Sequence, residues 1–512
     1  MESASVAAGS DARPIDTSAP GAKGVKADAI GYASNVVIAV ASTAPAYSLA
    51  TTLGFITATG GVGLHAPGIL ILAFVPMLFV SLGYRYLNLA DPDCGTTFAW
   101  VTRALGPQLG WLNGWAIFLA DVIVMASLAD IAAIYTFQLV GWTSADSNLG
   151  QIIGSVVWIA LMTWICYRGI ELSARIQQLL LTLEVLVLGL FAVVALVKIY
   201  SGNFHDSIHP ALSWFDPFVS WGPLSLALLL AIFIYWGWDS GVAVNEESQN
   251  PAQGPGKAAV VSTFVLLLIY VLVTVGAQGI HGTHFLNANE NDVLSPLGTA
   301  VFGSGFLQKL LLFCVLTSAS ASTQTTILPT ARTTLSMANW GAIPRVIGRI
   351  HPRFQTPTIS TLGMGGISII WTVCLLAFNP NGSVLGDSIT ALGFAVCFYY
   401  GFTGVACIVY FRKGLLKSAR RVLLAGVLPL LGAAGMFWIF YKAYVTESMS
   451  GYNYSPPLLG IQVPIVIGIG GLLLGVVLML IAWPSHQRYF SRRPQTADPA
   501  VLDEHFGDAR AT

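Results

Sequence analysis

The chain has 512 residues, of which 55% are hydrophobic and only 9% are charged. Soluble domains carry about 25% charged residues, so this composition indicates an integral membrane protein and excludes an ordinary soluble domain. The 24 basic and 24 acidic residues balance, which gives no reason to expect nucleic acid as a partner.

Both ends of the chain differ from the apolar remainder. Residues 1–29 are rich in small and polar residues, and they lack the basic start and apolar stretch of a cleavable signal peptide. We expect 1–29 to form a disordered cytoplasmic tail, and 486–512 to form a cytoplasmic tail of the same kind. The apolar body between them is predicted to span residues 30–485.

Twelve stretches are long and apolar enough to cross a bilayer, which takes about 20 residues. The predicted spans are 33–57, 67–87, 108–140, 149–167, 173–200, 222–244, 258–280, 306–337, 357–378, 387–411, 421–444 and 459–483. With both termini in the cytoplasm, 21 of the 24 basic residues fall inside, and only Lys198, Lys309 and Lys442 fall outside. This bias supports twelve spans and a multi-pass protein of the plasma membrane, because a miscounted helix would scramble the alternation.

Two of the spans are interrupted by residues that break helices. In the sixth, the apolar run from Leu224 stops at Gly237, and Asp239 follows between glycines. In the first, Pro45 lies at mid-depth among small residues, and proline removes a backbone donor. Interrupted helices in corresponding halves mark the binding site of many secondary transporters, because non-helical backbone at membrane depth must line a cavity.

Two connections have some apolar content and lie at matching points on opposite faces. One runs from Asp91 to Trp100 and the other from Leu294 to Phe302. Such pairs are typical of an inverted five-helix repeat. We therefore predict one repeat at 33–200, a second at 222–411, and two additional helices at 421–483.

Four motifs carry a family resemblance across residues 30–485. They are Gly237-Trp238-Asp239 followed by Glu246 to Pro251, Gly169 to Arg175, Arg332 to Pro344, and Gly106 to Trp115. Together they resemble the amino acid–polyamine–organocation (APC) permeases. The resemblance implies an all-α integral membrane protein with the LeuT-type 5+5 inverted repeat plus two C-terminal helices, and alternating access for amino acids or small amines.

The resemblance also implies where the substrate binds. Backbone N–H groups at the first break would receive a carboxylate, and carbonyls at the sixth-helix break would receive an ammonium group. Two departures matter: Pro45 stands where the family has a glycine-rich break, and Glu184 stands where some members carry a lysine tied to proton coupling. The predicted substrate-binding residues are Thr43, Ala44, Ala46, Tyr47, Tyr235, Trp236, Gly237, Trp238 and Asp239.

Carboxylates at membrane depth also indicate function. Asp121, Asp130, Glu184 and Asp239 have no basic residue at comparable depth, so each is a candidate proton acceptor or cation ligand. Glu184, Asp239 and Asp121 are the predicted coupling residues, although Asp121 and Asp130 also suit structural or hydrated positions.

Other polar residues leave alternatives open. Glu246 and Glu247 are gate candidates that could pair with Lys257 or Arg175, or act as solvated helix-end charges. The hydroxyl groups of Ser318, Ser320, Ser322 and Thr323 suit either sodium binding or close helix packing. Neither the six cysteines nor the eight histidines form a metal-binding or catalytic spacing, so we expect no metal, no cofactor and no enzymatic activity.

The sequence thus favours a secondary active transporter of amino acids or related small amines, coupled to protons, with sodium as the other coupling ion considered. The alternatives are a polyamine or amine carrier and a substrate–product antiporter of the same fold. A channel or receptor would not require paired broken helices. The partners expected are the small-molecule substrate and the lipid bilayer, and the sequence leaves the oligomeric state open.

Overall fold

A computed structural model describes residues 23–142, 147–202, 206–378, 384–449 and 455–506. Within these residues twelve helical segments are long and apolar enough to cross a membrane, which confirms the predicted number and the all-α class. In chain order, spans 1 to 12 are Tyr32–Ala58, Gly63–Ala90, Pro107–Val140, Asn148–Arg168, Ala174–Tyr200, Trp221–Ala243, Gly254–Ala288, Phe306–Trp340, Thr358–Ala377, Leu385–Phe411, Ala419–Glu447 and Val463–Ser485.

The spans differ in how deeply they are buried. The most apolar 18 residues of span 6 are all buried, whereas only 22% of those in span 12 are. Spans 1, 3 and 8 are also mainly buried, and spans 4, 5, 9 and 11 are mainly exposed. Spans 1, 3, 6 and 8 therefore form the centre of the bundle, and the exposed apolar spans form the surface that faces lipid.

Span 1 is broken, as Pro45 predicted. Helix 1a covers Tyr32–Ser42 and helix 1b covers Pro45–Ala58. Between them Ala44 has a left-handed backbone with φ of 46°. Pro45 is the first residue of helix 1b, where its missing N–H costs nothing and its fixed φ suits a helix start.

Span 6 is also broken, and its break lies against the break in span 1. Helix 6a covers Trp221–Tyr235, the short helix 6b covers Ser240–Ala243, and a 3₁₀ turn follows at Asn245–Glu247. Gly237 has φ of +119°, and a Cβ at this position would lie 2.7 Å from the backbone oxygen of Ser42. Glycine is therefore required at Gly237 both for its conformation and for the contact between the two breaks.

Short helices connect or flank the spans. We call the side of the bundle that holds both chain ends the terminal face, and the other side the distal face. The two predicted half-buried connections are helical, at Thr97–Leu105 on the terminal face and Leu294–Phe302 on the distal face. The remaining short elements are Gly63–His65, Leu212–Phe215, Arg345–Gly348, Leu415–Lys417, the π-helical turn Val422–Val427 within span 11, Trp483–Ser485, Gln487–Phe490 and Pro499–Phe506.

The described parts of both tails pack against the bundle, which differs from the predicted disorder. Lys23 is buried and ion-paired, and the backbones of Ile30 and Ser248 form an isolated parallel β-bridge. At the other end, Leu502 is fully buried and Asp503 pairs with Lys417. Composition missed these contacts because only a few residues in each tail make them. Residues 1–22 and 507–512 lie outside the described part.

Candidate functional site

A small cavity lies where the two broken helices meet. Its volume is about 10 Å³, roughly the space that one water molecule needs. It is lined by residues of spans 1, 3, 6, 8 and 10: Ser42, Ile117, Asp121, Trp236, Gly237, Asp239, Ser240, Thr326, Pro329 and Tyr399. The lining described here contains two carboxylates and no basic side chain, so the cavity is suited to a cationic group.

Asp239 is held at the cavity by two tyrosines. Its Oδ2 accepts hydrogen bonds from the hydroxyls of Tyr399 at 3.1 Å and Tyr84 at 3.4 Å. Trp236 in turn donates its ring N–H to the Tyr399 hydroxyl. The carboxylate is buried and oriented by neutral hydroxyl donors, and no basic side chain of the described lining faces it.

Asp121 lies on span 3 across the same cavity. Its Oδ2 accepts a hydrogen bond from the hydroxyl of Thr330 on span 8, and the carboxylate is 2% exposed. This contact agrees with the structural role considered for Asp121, and its position on the cavity wall agrees with the coupling role. The structure therefore brings Asp121 and Asp239 together.

Glu184 is placed at the start of helix 1b rather than on the cavity wall. Its Oε1 accepts a hydrogen bond from the backbone N–H of Ala46 at 2.7 Å and another from Ser318 Oγ at 2.7 Å. The Ser318 hydroxyl oxygen also accepts a bond from the N–H of Tyr47 at 3.2 Å. Helix N-termini attract anions, so Glu184 satisfies the end of helix 1b, where the family resemblance predicted a substrate carboxylate.

Six of the nine predicted substrate-binding residues do not line the cavity. Trp238 instead stacks on Tyr400, with ring centroids 5.2 Å apart, and Tyr235 packs edge-on against Tyr270. The Tyr47 hydroxyl donates to Ser127. Thr43 and Ala44 form the break of span 1 itself, and Ala46 is the second residue of helix 1b. The predicted residues Trp236, Gly237 and Asp239 do line the cavity.

The terminal face is closed by a buried ion cluster. Lys23 Nζ lies 2.7 Å from an Asp93 oxygen and 2.6 Å from Glu246 Oε1, and the backbone N–H of Cys94 donates to the same Glu246 oxygen at 2.9 Å. Burial alone would raise the pKa of Asp93, but Lys23 outweighs it and holds that pKa below its usual value. Asp93, Cys94 and Glu246 also have metal-ligand atoms within 4.8 Å of one another, and the Lys23 ammonium supplies the cation among them.

A second buried pair lies beside the first. Arg332 of span 8 makes two hydrogen bonds of 2.9 Å to the two oxygens of Glu247. Glu246 and Glu247 thus pair with Lys23 and Arg332, which corrects the predicted pairing with Lys257 or Arg175 and the alternative of solvated charges. Lys257 bonds to Gln253 instead. The error arose because the partners are far away in sequence, one of them in the supposed tail.

The distal face is closed by the loop between spans 7 and 8. The N–H of Val293 donates to the carbonyl of Ala50 on helix 1b at 2.8 Å, and Tyr135 donates to Asp292. Gly54 allows the Glu290 backbone to cross helix 1b, since a Cβ there would lie 2.3 Å from the Glu290 Cα. Burial raises the pKa of Asp292. The central cavity is therefore covered on both sides.

The sequence model described as "Amino acid permease" matches residues 31–469, which is most of the chain. The chain belongs to this family. The match confirms the resemblance to the APC superfamily that the motifs indicated.

Relatives of this permease are distant but cover most of its length. It is 25% identical over 396 residues to the branched-chain amino acid permease BcaP of Lactococcus lactis subsp. cremoris, covering 73% of this chain and 82% of that protein. It is 24% identical over 412 residues to the Asc-type amino acid transporter 1 of Mus musculus, covering 77% of this chain and 71% of that protein. It is 22% identical over 420 residues to the methylthioribose transporter of Bacillus subtilis, covering 76% of this chain and 83% of that protein.

The fold also has a counterpart among solved structures. A mutant of the Eremococcus coleocola manganese transporter superposes with a TM-score of 0.55 at 14% identity, covering 90% of the permease and 94% of that chain. At this identity the likeness concerns the fold alone. It agrees with the predicted LeuT-like architecture.

The hydroxyl groups considered for sodium binding all have protein partners. Ser322 Oγ donates to the carbonyl of Ser42, Ser320 Oγ to that of Leu316, and Thr323 Oγ1 to that of Ala319. Ser318 joins Glu184 to helix 1b, as described above. These contacts match the packing role that was considered, while sodium coupling stays an untested prediction.

Several site residues were missed from the sequence. They are Tyr84, Tyr399, Thr330, Asp93, Lys23 and Arg332. Tyr399 and Thr330 lie in spans already identified, and a search for donors to the intramembrane carboxylates would have selected hydroxyl-bearing residues there. No pattern in the sequence links Lys23 to Glu246, because 223 residues separate them.

Proposed function

We propose that this permease is a secondary active transporter that moves amino acids or related small amines by alternating access, in symport with protons. It would act in the plasma membrane with both termini in the cytoplasm, as the placement of basic residues predicts. The terminal face is then cytoplasmic and the distal face is extracellular. Membership of a permease family argues for transport over enzymatic chemistry.

The observation that carries this proposal is the cavity between the two breaks, which has Asp121 and Asp239 in its wall. A protonated amine is the natural partner of such a wall, because an isolated carboxylate in a low dielectric gains most from a nearby cation. Trp236 adds an aromatic side chain that can contact an organic cation. The names of the branched-chain and Asc-type relatives support amino acids as the cargo class.

The closures on both faces support the proposal of alternating access. A cavity of about 10 Å³ is too small for an amino acid, so the site must widen when substrate enters. The Lys23 and Arg332 pairs close one side, and the loop at Val293 closes the other. We propose that these two sets of contacts open in turn, each exposing the same central site.

Glu184 supplies a route for proton coupling. While charged, it binds the N–H of Ala46 and competes with any substrate carboxylate for the start of helix 1b. A proton on Glu184 removes that competition, so the substrate carboxylate can take its place while Asp239 receives the amino group. Proton and amino acid would then bind together and be released together.

The hydrogen bond between Ala46 and Glu184 also supports a second candidate function, an amine or polyamine carrier. If Glu184 stays charged on Ala46, the site accepts a cation and has no position for a carboxylate. Such a cargo would need no proton on Glu184. The methylthioribose relative, named for a molecule that is not an amino acid, is a further reason to test cargo directly.

The purified protein in liposomes distinguishes these functions. We would offer amino acids, their decarboxylated amines and polyamines under an imposed inward proton gradient, with a sodium gradient as the matched alternative. Uptake of amino acids that stops when a protonophore collapses the gradient is the expected result. Uptake of amines alone would favour the carrier, and amino acid uptake unaffected by collapse of the proton gradient would exclude proton symport.

A further inference from the structure

Two buried carboxylates on the distal face do not belong to the lining of the central cavity. Asp387 begins span 10 and Glu447 ends span 11, and their side chains are 2% and 1% exposed. Oε1 of Glu447 has no hydrogen-bond partner, and the neutral hydroxyl of Ser455 is the neighbour that can bond to Asp387. Among the described residues no lysine or arginine lies within salt-bridge distance of either carboxylate.

The two carboxylates lie on facing sides of neighbouring helices. The rings of Phe394 on span 10 and Phe440 on span 11 are packed 5.4 Å apart. Asp387 precedes Phe394 by seven residues and Glu447 follows Phe440 by seven. Seven residues are two helical turns, or about 10.5 Å, so in antiparallel helices both carboxylates lie at one level above the ring pair, on the same facing sides. Their charges are close enough to act on each other.

Span 12 brings a neutral oxygen to the same level. A Cβ at Gly468 would lie 2.6 Å from the backbone oxygen of Ala391, so spans 12 and 10 are in close contact there. Asp387 lies four residues before Ala391, and Gln462 lies six residues before Gly468, about 6 and 9 Å towards the distal face. Gln462 is 7% exposed and its side-chain oxygen has no hydrogen-bond partner.

Further hydroxyl groups lie near Asp387 in the same helix or beside it. Ser388 and Thr390 are buried on the same turn of helix, and their hydroxyls have no hydrogen-bond partner. Ser455, from the connection between spans 11 and 12, is also buried and lies beside Asp387. The donor atoms gathered here are all oxygens, and no cysteine or histidine belongs to the group.

Electrostatics favours a cation at this position. Two buried carboxylates repel each other, and Glu447 is the last residue of its helix, where the partial negative charge of the helix end adds to the repulsion. The first turn of span 10 favours the charge on Asp387, but a helix end supplies only about half a charge. Burying charges without partners costs several kcal/mol each.

We propose that Asp387, Glu447 and Gln462 form a cation site for calcium, separate from the central cavity. Calcium takes six to eight oxygen ligands in flexible geometry, and carboxylate, amide and hydroxyl oxygens are the ligands it prefers. Magnesium needs a stricter octahedral arrangement and binds more weakly here. With the distal face outside the cell, the site meets calcium at the concentration to which sites with dissociation constants of about 0.1–1 mM respond. Bound calcium joins spans 10, 11 and 12.

The test uses the purified full chain in detergent, where both faces are accessible, so its outcome does not depend on the transport proposal. Equilibrium binding of ⁴⁵Ca²⁺ and thermal unfolding in calcium, magnesium or EDTA are measured on the same samples. We expect calcium to bind and to raise the unfolding temperature more than magnesium does. Asp387→Asn and Glu447→Gln should each weaken binding at least about tenfold, and Gln462→Leu less.

Matched controls are Asp216→Asn and Glu290→Gln, which remove carboxylates from loops of the distal face, and both should bind calcium as the original chain does. In EDTA, Asp387→Asn should be the more stable protein, because a buried charge has been removed. Absence of ⁴⁵Ca²⁺ binding by the original chain would overturn the proposal and leave a carboxyl pair that shares a proton. Calcium binding that persists unchanged in Asp387→Asn, Glu447→Gln and their combination would also overturn it. The single variants keep the test decisive if the combination does not fold.

Discussion

Glu184 Oε1 lies 2.7 Å from the backbone nitrogen of Ala46, so an acidic side chain from span 5 occupies the positive end of helix 1b. The donors at this helix end are therefore already satisfied by the protein itself. In the proposed function, a substrate carboxylate binds there by displacing Glu184, and a proton on Glu184 favours that exchange. The proposal thus makes the protonation state of Glu184 decide both which cargo binds and whether a proton is carried with it.

The substitution Glu184→Gln separates substrate binding from proton coupling. Glutamine can still accept the bond from Ala46, but it has no proton to release, so we expect exchange of internal for external substrate to continue while uptake driven by a proton gradient falls at least about tenfold. Proteoliposome uptake and exchange assays measure the two rates. The control is Glu504→Gln, an exposed glutamate in the C-terminal helix. Gradient-driven uptake at the original rate in Glu184→Gln would contradict the coupling role.

Asp239→Asn tests the cationic half of the site. Asparagine keeps an oxygen for Tyr84 and Tyr399 but loses the charge that faces the substrate amine. A charged hydrogen bond contributes about 1.5–3 kcal/mol, so the KM for uptake should rise about 10- to 100-fold. Tyr399→Phe should raise it less, since only the orientation of Asp239 is lost. Asp216→Asn serves as the control, and an unchanged KM in Asp239→Asn would assign the carboxylate to structure alone.

The two breaks were predictable because their causes are local. Pro45 cannot continue a helix, and Gly237 and Gly241 flank a carboxylate that is costly at membrane depth, so the chemistry of single residues marks both positions. Which side chains face the cavity was less predictable. Trp238 and Tyr235 sit beside the break yet point into aromatic clusters, because in an unwound segment side-chain direction no longer follows helical spacing.

Gly237→Ala tests the contact between the breaks. Its φ of +119° strains any side chain, and the new Cβ would lie 2.7 Å from the Ser42 oxygen. We expect transport to be lost and the unfolding temperature to fall. Gly303→Ala is the matched control, because Gly303 also has positive φ but no atom within 4 Å of its Cβ position. An equal effect of both substitutions would show that strain alone matters and that the contact does not.

Lys23→Met should loosen the terminal-face closure. It leaves Asp93 and Glu246 buried without their cation, which costs the closed conformation about 3–5 kcal/mol. Cys94 lies beside these carboxylates and is 1% exposed, so it reports opening by reaction with a maleimide. The assay uses a Cys374→Ser background, since Cys374 is exposed, and Lys26→Met as the control. Labelling no faster than in the control would exclude Lys23 from the closure.

The closure itself could not have been predicted from the sequence. Lys23 lies in a polar segment whose composition indicates disorder, and its partners Asp93 and Glu246 come from two other parts of the chain. Buried ion pairs between distant segments leave no periodicity and no local motif. The same reason hides the proposed calcium site, where Asp387 begins one predicted span and Glu447 lies three residues beyond the end of another.

Asp503 predicts how docking of the C-terminal helix depends on pH. Its carboxylate accepts hydrogen bonds from Lys417 at 2.7 and 3.0 Å and from Arg421 at 2.6 Å, and these bonds hold the pKa of Asp503 below its usual value. Because the pKa of Asp503 is lower when the helix is docked, the ionised carboxylate stabilises docking fully at pH values above the ordinary pKa of about 3.9. That stabilisation is lost as the pH falls through the lower pKa of the docked state.

We therefore expect amide hydrogen exchange in Pro499–Phe506 to accelerate below about pH 4, relative to an undocked peptide at the same pH. Asp503→Asn should give the faster exchange already at pH 7 and lose the acid-induced change, because the amide has no proton to gain. Glu504→Gln, on the exposed side of the same helix, should keep the original pH profile. Burial of Leu502 and stacking of Phe506 on Tyr86 persist in acid, so release should be partial. An acid transition retained in Asp503→Asn would assign the pH dependence to another group.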